Sequence, residues 1–269
     1  MLRGDQRVYG GHQRPARGAV IQFTMEKIRI DRFLSSQLGI SRGDAKKLLR
    51  GGGVTVNGAP VSKAEQTVDA GADLVAVGGK ALSYKKHLYI MMNKPPGVIS
   101  ASRDPTEPTV VDLLPEELKR PGLFPAGRLD KDTTGFVLLT DDGVFAHEIL
   151  APRKHVPKNY TARVGRRLTE AEEERFRGGM TAGGVSYAPA LLAFAGADET
   201  DGTFLYSVTI REGKYHQLKL MFAALGAPIL RLHRNRIGGV SLDPALAPGQ
   251  ARELTREELL SVRNTADFR

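Results

Sequence analysis

The Gly-rich, basic stretch GGKALSYKK, residues 78–86, follows the last strand candidate of one segment and precedes the strand-like LYIMMNK of the next, which makes it the best hinge in the 269-residue chain and a short connection between two expected packing units. Before it, Ile30, Phe33 and Leu34 fall on one helical face. Ala45, Leu48 and Leu49 form a second face, with Arg42, Lys46 and Arg50 on its outside. Ser41 is placed to cap that second helix, Gly51–Gly53 end it, and Val54–Val56 before Asn57-Gly58 reads as a strand and turn. Further strands are expected around Val68 and over Leu74–Val77. After the break, short apolar runs alternate with Gly, Pro and Asp turns: Leu88–Met92, Phe136–Leu139, a strand beginning near Tyr160, and the segments TAGGVSYAPALLAFAG and GTFLYSVTI. Short helices are expected over Val144–Leu150 and in LTEAEEERFRGGM. The reading is an α+β chain: a small helix-and-strand domain over 26–79, a linker over 80–87, and a mixed, predominantly antiparallel-sheet domain over 88–262. A flexible basic extension (1–25) and a flexible tail (263–269) flank them.

Composition narrows the function classes. The formal charge of +9 favours a polyanionic partner. No apolar run approaches the roughly 20 residues that span a bilayer, and the first 24 residues lack the apolar core of a secretory signal. Zero cysteines exclude disulfides, thiolate catalysis and cysteine-ligated metals. The six histidines are scattered without an HExxH arrangement, so no metal site is expected. Neither a dinucleotide fingerprint nor a phosphate-binding P-loop occurs.

The densest group of charged and turn-forming residues is PAGRLDKDTTGFVLLTDDG, residues 125–143. A polar group held at the start of a strand is both rigid and exposed. Asp130, between Arg128 and the pair Lys131-Asp132, is therefore a candidate for carboxylate chemistry or for a place in a nucleic-acid surface; the spacing leaves both open. Asp130, Asp132, Asp141 and Asp142 together also permit metal-assisted phosphodiester hydrolysis. Elsewhere, Met91 and Met92 read as core and Lys94 as an exposed or phosphate-contacting residue. His216 reads as a structural histidine, and Lys214, Arg231 and Arg234 as surface or RNA contacts. Lys219 reaches Asp130 if the fold sets EGKYHQLKLMFAALG beside it.

Two resemblances organise these residues. IRIDRFLSSQLGISRGDAKKLLRGGGVTVNG resembles an S4 RNA-binding domain, which implies that Arg42, Lys46, Lys47 and Arg50 face structured RNA. PAGRLDKDTTGFVLLTDDG, PRKHVPKNY, EGKYHQLKLMFAALG, LHRNRIGGVSLD and LAPGQARELTREEL together resemble the RsuA-like branch of the RNA pseudouridine synthases, and with the S4-like module the resemblance runs from Glu26 to Leu260. It implies isomerisation of a uridine within RNA. The N1–C1′ bond breaks, the uracil turns while retained, and a C5–C1′ bond forms. By resemblance Asp130 is the catalytic carboxylate, acting at C1′, at uracil C6 or, as the preferred route, through a glycal. Tyr160 stacks near the target base, and Lys219 is the basic partner of Asp130 where other branches often carry Arg. Arg128 occupies the space left by the flipped nucleotide or contacts the backbone. No cofactor is implied. The expected partner is 16S rRNA or a small-subunit assembly intermediate, with the position-516 uridine as target, met in the cytoplasm by a monomer. Modification of 23S rRNA and non-catalytic rRNA binding are the alternatives.

Overall fold

The computed structural model describes residues 27–151, 154 and 156–263; the extension 1–25 and the tail beyond residue 263 lie outside the described residues. The small unit comprises β1 (Lys27–Arg29), α1 (Ile30–Leu38), α2 (Arg42–Arg50), β2 (Val54–Val56), β3 (Ala59–Pro60), β4 (Thr67–Asp69), β5 (Val75–Val77) and β6 (Lys80–Ala81). Helix α1 ends at Gly39 in the left-handed region (φ 66°), and Ser41 caps α2 by accepting from the Asp44 amide. The two helices lay Ile30, Phe33, Leu34, Ala45 and Leu49 against Val54, Val68 and Val75. Each of these side chains apart from Ala45 contributes about 1.5–3 kcal/mol on burial, which lets so small a unit hold together.

The linker is shorter than its sequence suggests. Lys80–Ala81 pair with β5, Leu82 and Tyr84 pack onto the small core, and Tyr84 stacks on Phe33 at 5.5 Å. Apolar positions inside a Gly- and Lys-rich stretch have joined the domain before them. The remainder of the stretch is held from both sides. Gln37 pairs with the Lys85 backbone in both directions, at 2.8 and 3.2 Å, and Arg120 of the larger unit donates to the carbonyls of Lys85 and Lys86.

The larger unit contains β7 (Tyr89–Lys94), β8 (Phe124–Pro125), β9 (Thr134–Thr140), α3 (Gly143–Leu150), β10 (Lys158–Val164), α4 (Glu170–Gly178), β11 (Met180–Ala182), β12 (Val185–Tyr187), β13 (Leu191–Asp198), β14 (Thr203–Ile210), α5 (Gln217–Ala224), β15 (Ile229–Ile237), β16 (Val240–Ser241), β17 (Ala251–Glu253) and α6 (Arg256–Ser261). Its main sheet runs β13-β14-β10-β15-β9-β7-β17, with β16 beside β15 and β8 beside β9. Pairing is antiparallel except between β9 and β15. The α+β expectation, with a mostly antiparallel sheet, is what the chain adopts.

Strands β7 and β9 are buried on both faces. Ile90, Met92, Val137 and Leu139 enter one core; Met91, Phe136 and Leu138 enter the other, beneath α3. The two methionines are core residues on opposite sides of one strand. Gly135 marks the β9–β15 crossing: its φ is 99°, and a Cβ there would overlap the backbone of Arg234. That close approach brings the loop before β9 beside β10 and β15.

Candidate active site

Residues 129–133 form the loop that enters β9, and backbone groups of this loop are held from behind. Ser100 Oγ donates to the Leu129 carbonyl and accepts from the Leu129 amide, both at 3.0 Å. Lys94, at the end of β7, spends its ammonium on three backbone carbonyls: Pro95 at 3.0 Å, Lys131 at 3.1 Å and Thr133 at 2.8 Å. The exposed reading of Lys94 is thus corrected, because its side chain is wholly buried. Burial pushes that ammonium down to about 8, with Asp132 and Asp130 pulling it back up. Asp130 therefore sits on a segment pinned at the residues on either side of it.

The EGKYHQLKLM segment meets this loop through α5. Lys219 Nζ lies 2.9 Å from Asp130 Oδ2 and 2.6 Å from Asp132 Oδ1. Partial burial works against the Lys219 charge, but Asp132 and Asp130 outweigh it and raise the group above the ordinary lysine value. The same hydrogen bond from Lys219 lowers Asp132. His216, read from the sequence as a structural histidine, stands just before the helix and beside Asp130. It precedes α5 with φ 48°, in the left-handed region, and its Nε2 lies 3.4 Å from Asp130 Oδ1. Its ring stacks on exposed Tyr215 at 3.8 Å. A non-glycine residue in this conformation beside a carboxylate carries backbone strain of about 1–3 kcal/mol that the surrounding contacts must hold.

Asp130, Lys219, His216, Thr133 and Tyr160 line one narrow pocket of about 80 Å³. Tyr160 is 7% exposed and presents part of its ring from β10. Thr133 adds a buried hydroxyl with no partner among the described residues. Arg128 is exposed at the pocket rim. The structure thus brings Asp130, Tyr160, Lys219 and Arg128 to one place. Arg42, Lys46, Lys47 and Arg50 stand apart, on the exposed side of α2, where Lys47 forms a solvent-facing pair with Asp44 at 2.9 Å. Arg234 is also not the surface contact its sequence suggests: it is 2% exposed, and its Nε donates to the Phe136 carbonyl at 2.7 Å.

The four acids considered for metal-assisted hydrolysis do not converge. Asp141 pairs with Arg120 at 2.9 Å and accepts from the Leu88 amide, while Asp142 caps α3 and accepts from the Tyr89 hydroxyl. No group of three or more metal-ligating side chains forms among the described residues. A carboxylate held beside an ammonium, an imidazole and an aromatic wall is suited to nucleophilic or basic work on a flat, uncharged base.

Such a pocket, carried on a mixed sheet and joined to a basic helical module, defines an RNA-directed enzyme. Residues 88–224 match the family model described as RNA pseudouridylate synthase, and residues 28–74 match the S4 domain. The chain is 44% identical over 233 residues to the uncharacterized RNA pseudouridine synthase YtzG of Bacillus subtilis, covering 86% of this chain and 97% of that protein. It is 40% identical over 237 residues to the ribosomal small subunit pseudouridine synthase A of Escherichia coli, covering 87% and 100%. A crystal structure of a pseudouridylate synthase superposes with a TM-score of 0.58 at 34% identity, over 87% of this chain and 99% of that one. The protein belongs to the RNA pseudouridine synthase family and carries an S4 domain.

Proposed function

We propose that the protein isomerises a specific uridine of 16S rRNA, the position-516 uridine in usual bacterial numbering, with Asp130 as the reacting carboxylate. The observation that carries the assignment to Asp130 is its place on a pinned loop, 2.9 Å from Lys219 and beside the Tyr160 ring. In this reading Lys219 pairs with Asp130 and aims it, as a lysine does without the two-pronged grip of arginine. Tyr160 packs against the flipped uracil, and Arg128 stands at the rim where the strand has lost its base. Arg42, Lys46, Lys47 and Arg50 of the S4 domain add affinity for the surrounding RNA. The substrate supplies every atom of the product, so the reaction requires no cofactor. The monomeric chain acts in the cytoplasm, where its rRNA is assembled into the small subunit.

The proposed sequence of events is elimination at the sugar. Asp130 takes the C2′ proton as the N1–C1′ bond breaks to give a glycal and a uracil anion. The uracil turns, C5 bonds to C1′, the proton returns to C2′, and the C5 proton is lost as N1 gains one. Deuterium at C2′ should slow turnover if this route operates; an unchanged rate points to direct attack by Asp130.

The small-subunit target is supported by the full-length match to the Escherichia coli enzyme of that name. The Bacillus subtilis relative is more similar but its name specifies no target, which keeps 23S rRNA as the second reading. Site-resolved pseudouridine mapping of both rRNAs in a deletion strain and its complemented counterpart decides between them. Loss of the 16S modification alone is expected. Loss at a 23S site with the 16S site intact would overturn the choice. In vitro, Asp130→Asn should abolish tritium release from RNA containing [5-³H]uridine while RNA binding persists; turnover by the folded variant would remove Asp130 from the mechanism.

A further inference from the structure

The pocket around Asp130 opens into a wider cleft of about 550 Å³, sharing Arg128, Tyr160 and Lys214 as walls. Lys158 and Arg234 also line this cleft, 9% and 2% exposed. The sheet explains their grouping. Arg234 of β15 pairs with Tyr160 of β10, and Lys158 lies two residues from Tyr160 on the same strand face. The Arg234 guanidinium is 6.0 Å from the Tyr160 ring centre.

Neither cation has a carboxylate partner among the described residues. Among the described residues, Lys158 Nζ donates only to the Val156 carbonyl, at 3.0 Å, and Arg234 Nη2 has no acceptor. Burial, together with the neighbouring Arg234 charge, pushes the Lys158 ammonium down to about 8. Arginine has no such escape, because it stays protonated. Glu212 lines the cleft but is engaged by Lys214 at 2.8 Å and by the Ala188 amide at 3.0 Å. Two adjacent buried cations without an anion are costly to a fold, and their partner has to come from outside. A strand whose uridine reaches Asp130 carries a phosphate on each side of that nucleotide, and the forked guanidinium matches phosphate geometry.

We propose that Lys158 and Arg234 form a phosphate subsite that grips one RNA backbone phosphate adjoining the nucleotide engaged by Asp130, so fixing its ribose against the carboxylate. This deepens the uridine-isomerase reading and rests on it. Both are positioning residues; neither touches the bonds that change.

The test combines single methylphosphonate substitutions around the target uridine of a 16S-derived RNA fragment with Lys158→Met and Arg234→Met in the full chain. Binding is measured in an Asp130→Asn background, and pseudouridine formation with Asp130 intact. Neutralising one adjoining phosphate is expected to weaken binding about tenfold or more, and each cation variant to weaken it by a similar factor. Combined, the two losses should fall well short of multiplying. Thermal melting guards against misfolding: Lys158→Met should melt no lower than its parent, since it removes a buried unpaired charge, and it carries the test alone if Arg234→Met fails to fold. Losses that multiply at every phosphate position, or no effect of Lys158→Met on binding, would overturn the subsite. Absence of pseudouridine with the unmodified chain would instead refute the isomerase reading, while the binding measurements still decide whether the phosphate is gripped.

Discussion

Lys94 holds the loop that carries Asp130 from behind, without lining the pocket around it. Its three donors are all taken by carbonyls around the loop that carries Asp130. Lys94→Met should preserve RNA affinity while lowering kcat by roughly 10–100-fold, the scale expected when a reacting group is displaced by about an ångström. Single-turnover kinetics and binding measured on the same preparation would check this split. The same lysine predicts a pH signature. Its folded value of about 8 lies below its ordinary 10.5, so the folded chain releases a proton that the unfolded chain keeps. The cost of charging it is full below the folded value and disappears as pH rises towards 10.5, so stability rises with pH across that window. Lys158 contributes in the same sense. Between about pH 8 and 9, below the ordinary tyrosine range, Lys94→Met should show a shallower rise in denaturant-measured stability than the parent chain; an unchanged slope would count against a depressed Lys94.

At the scale of elements, the β9–β15 crossing is the joint on which the site depends. Gly135→Ala would force a Cβ into the Arg234 backbone and require a conformation that alanine resists. A loss of about 2 kcal/mol or more is expected, and chemical denaturation would measure it. The crossing also shows why only part of the site could be read along the chain. Asp130, Tyr160 and Lys219 sit in distinctive motifs, and the α1–α2 pair and both buried strands follow from apolar spacing. Lys94 and Arg234 occur in local sequence that is polar and loop-like or strand-edge-like, and their burial is created by strands brought in from elsewhere. His216 was hidden for a different reason: nothing in helical spacing announces a left-handed turn. Lys158 did carry a signal, since strand alternation from Tyr160 sets it on the same face.

For the whole molecule, the orientation of the S4 domain decides where its basic helix lies relative to the pocket. Arg120 is one tie between the units. It pairs with Asp141 at 2.9 Å and donates to Lys85 and Lys86 in the connecting segment, and Lys85 in turn pairs with Glu253 at 2.5 Å. Units joined by one short, polar segment move relative to each other unless such ties hold them. Arg120→Ala should broaden the distance distribution between probes on α2 and α4 and speed tryptic cleavage after Lys85 and Lys86, with little change in the melting of either core. Unaltered distances and cleavage would show that Arg120 does not set the orientation. One consequence reaches beyond the finished molecule. Thr134, at the mouth of the Asp130 loop, bonds to His233, 99 residues further along the chain, so during synthesis the pocket cannot close until nearly all of the sequence has emerged. Contacts so distant in sequence form slowly, and a nascent chain can gather its S4 domain, and with it a hold on RNA, well before it acquires the means to alter that RNA.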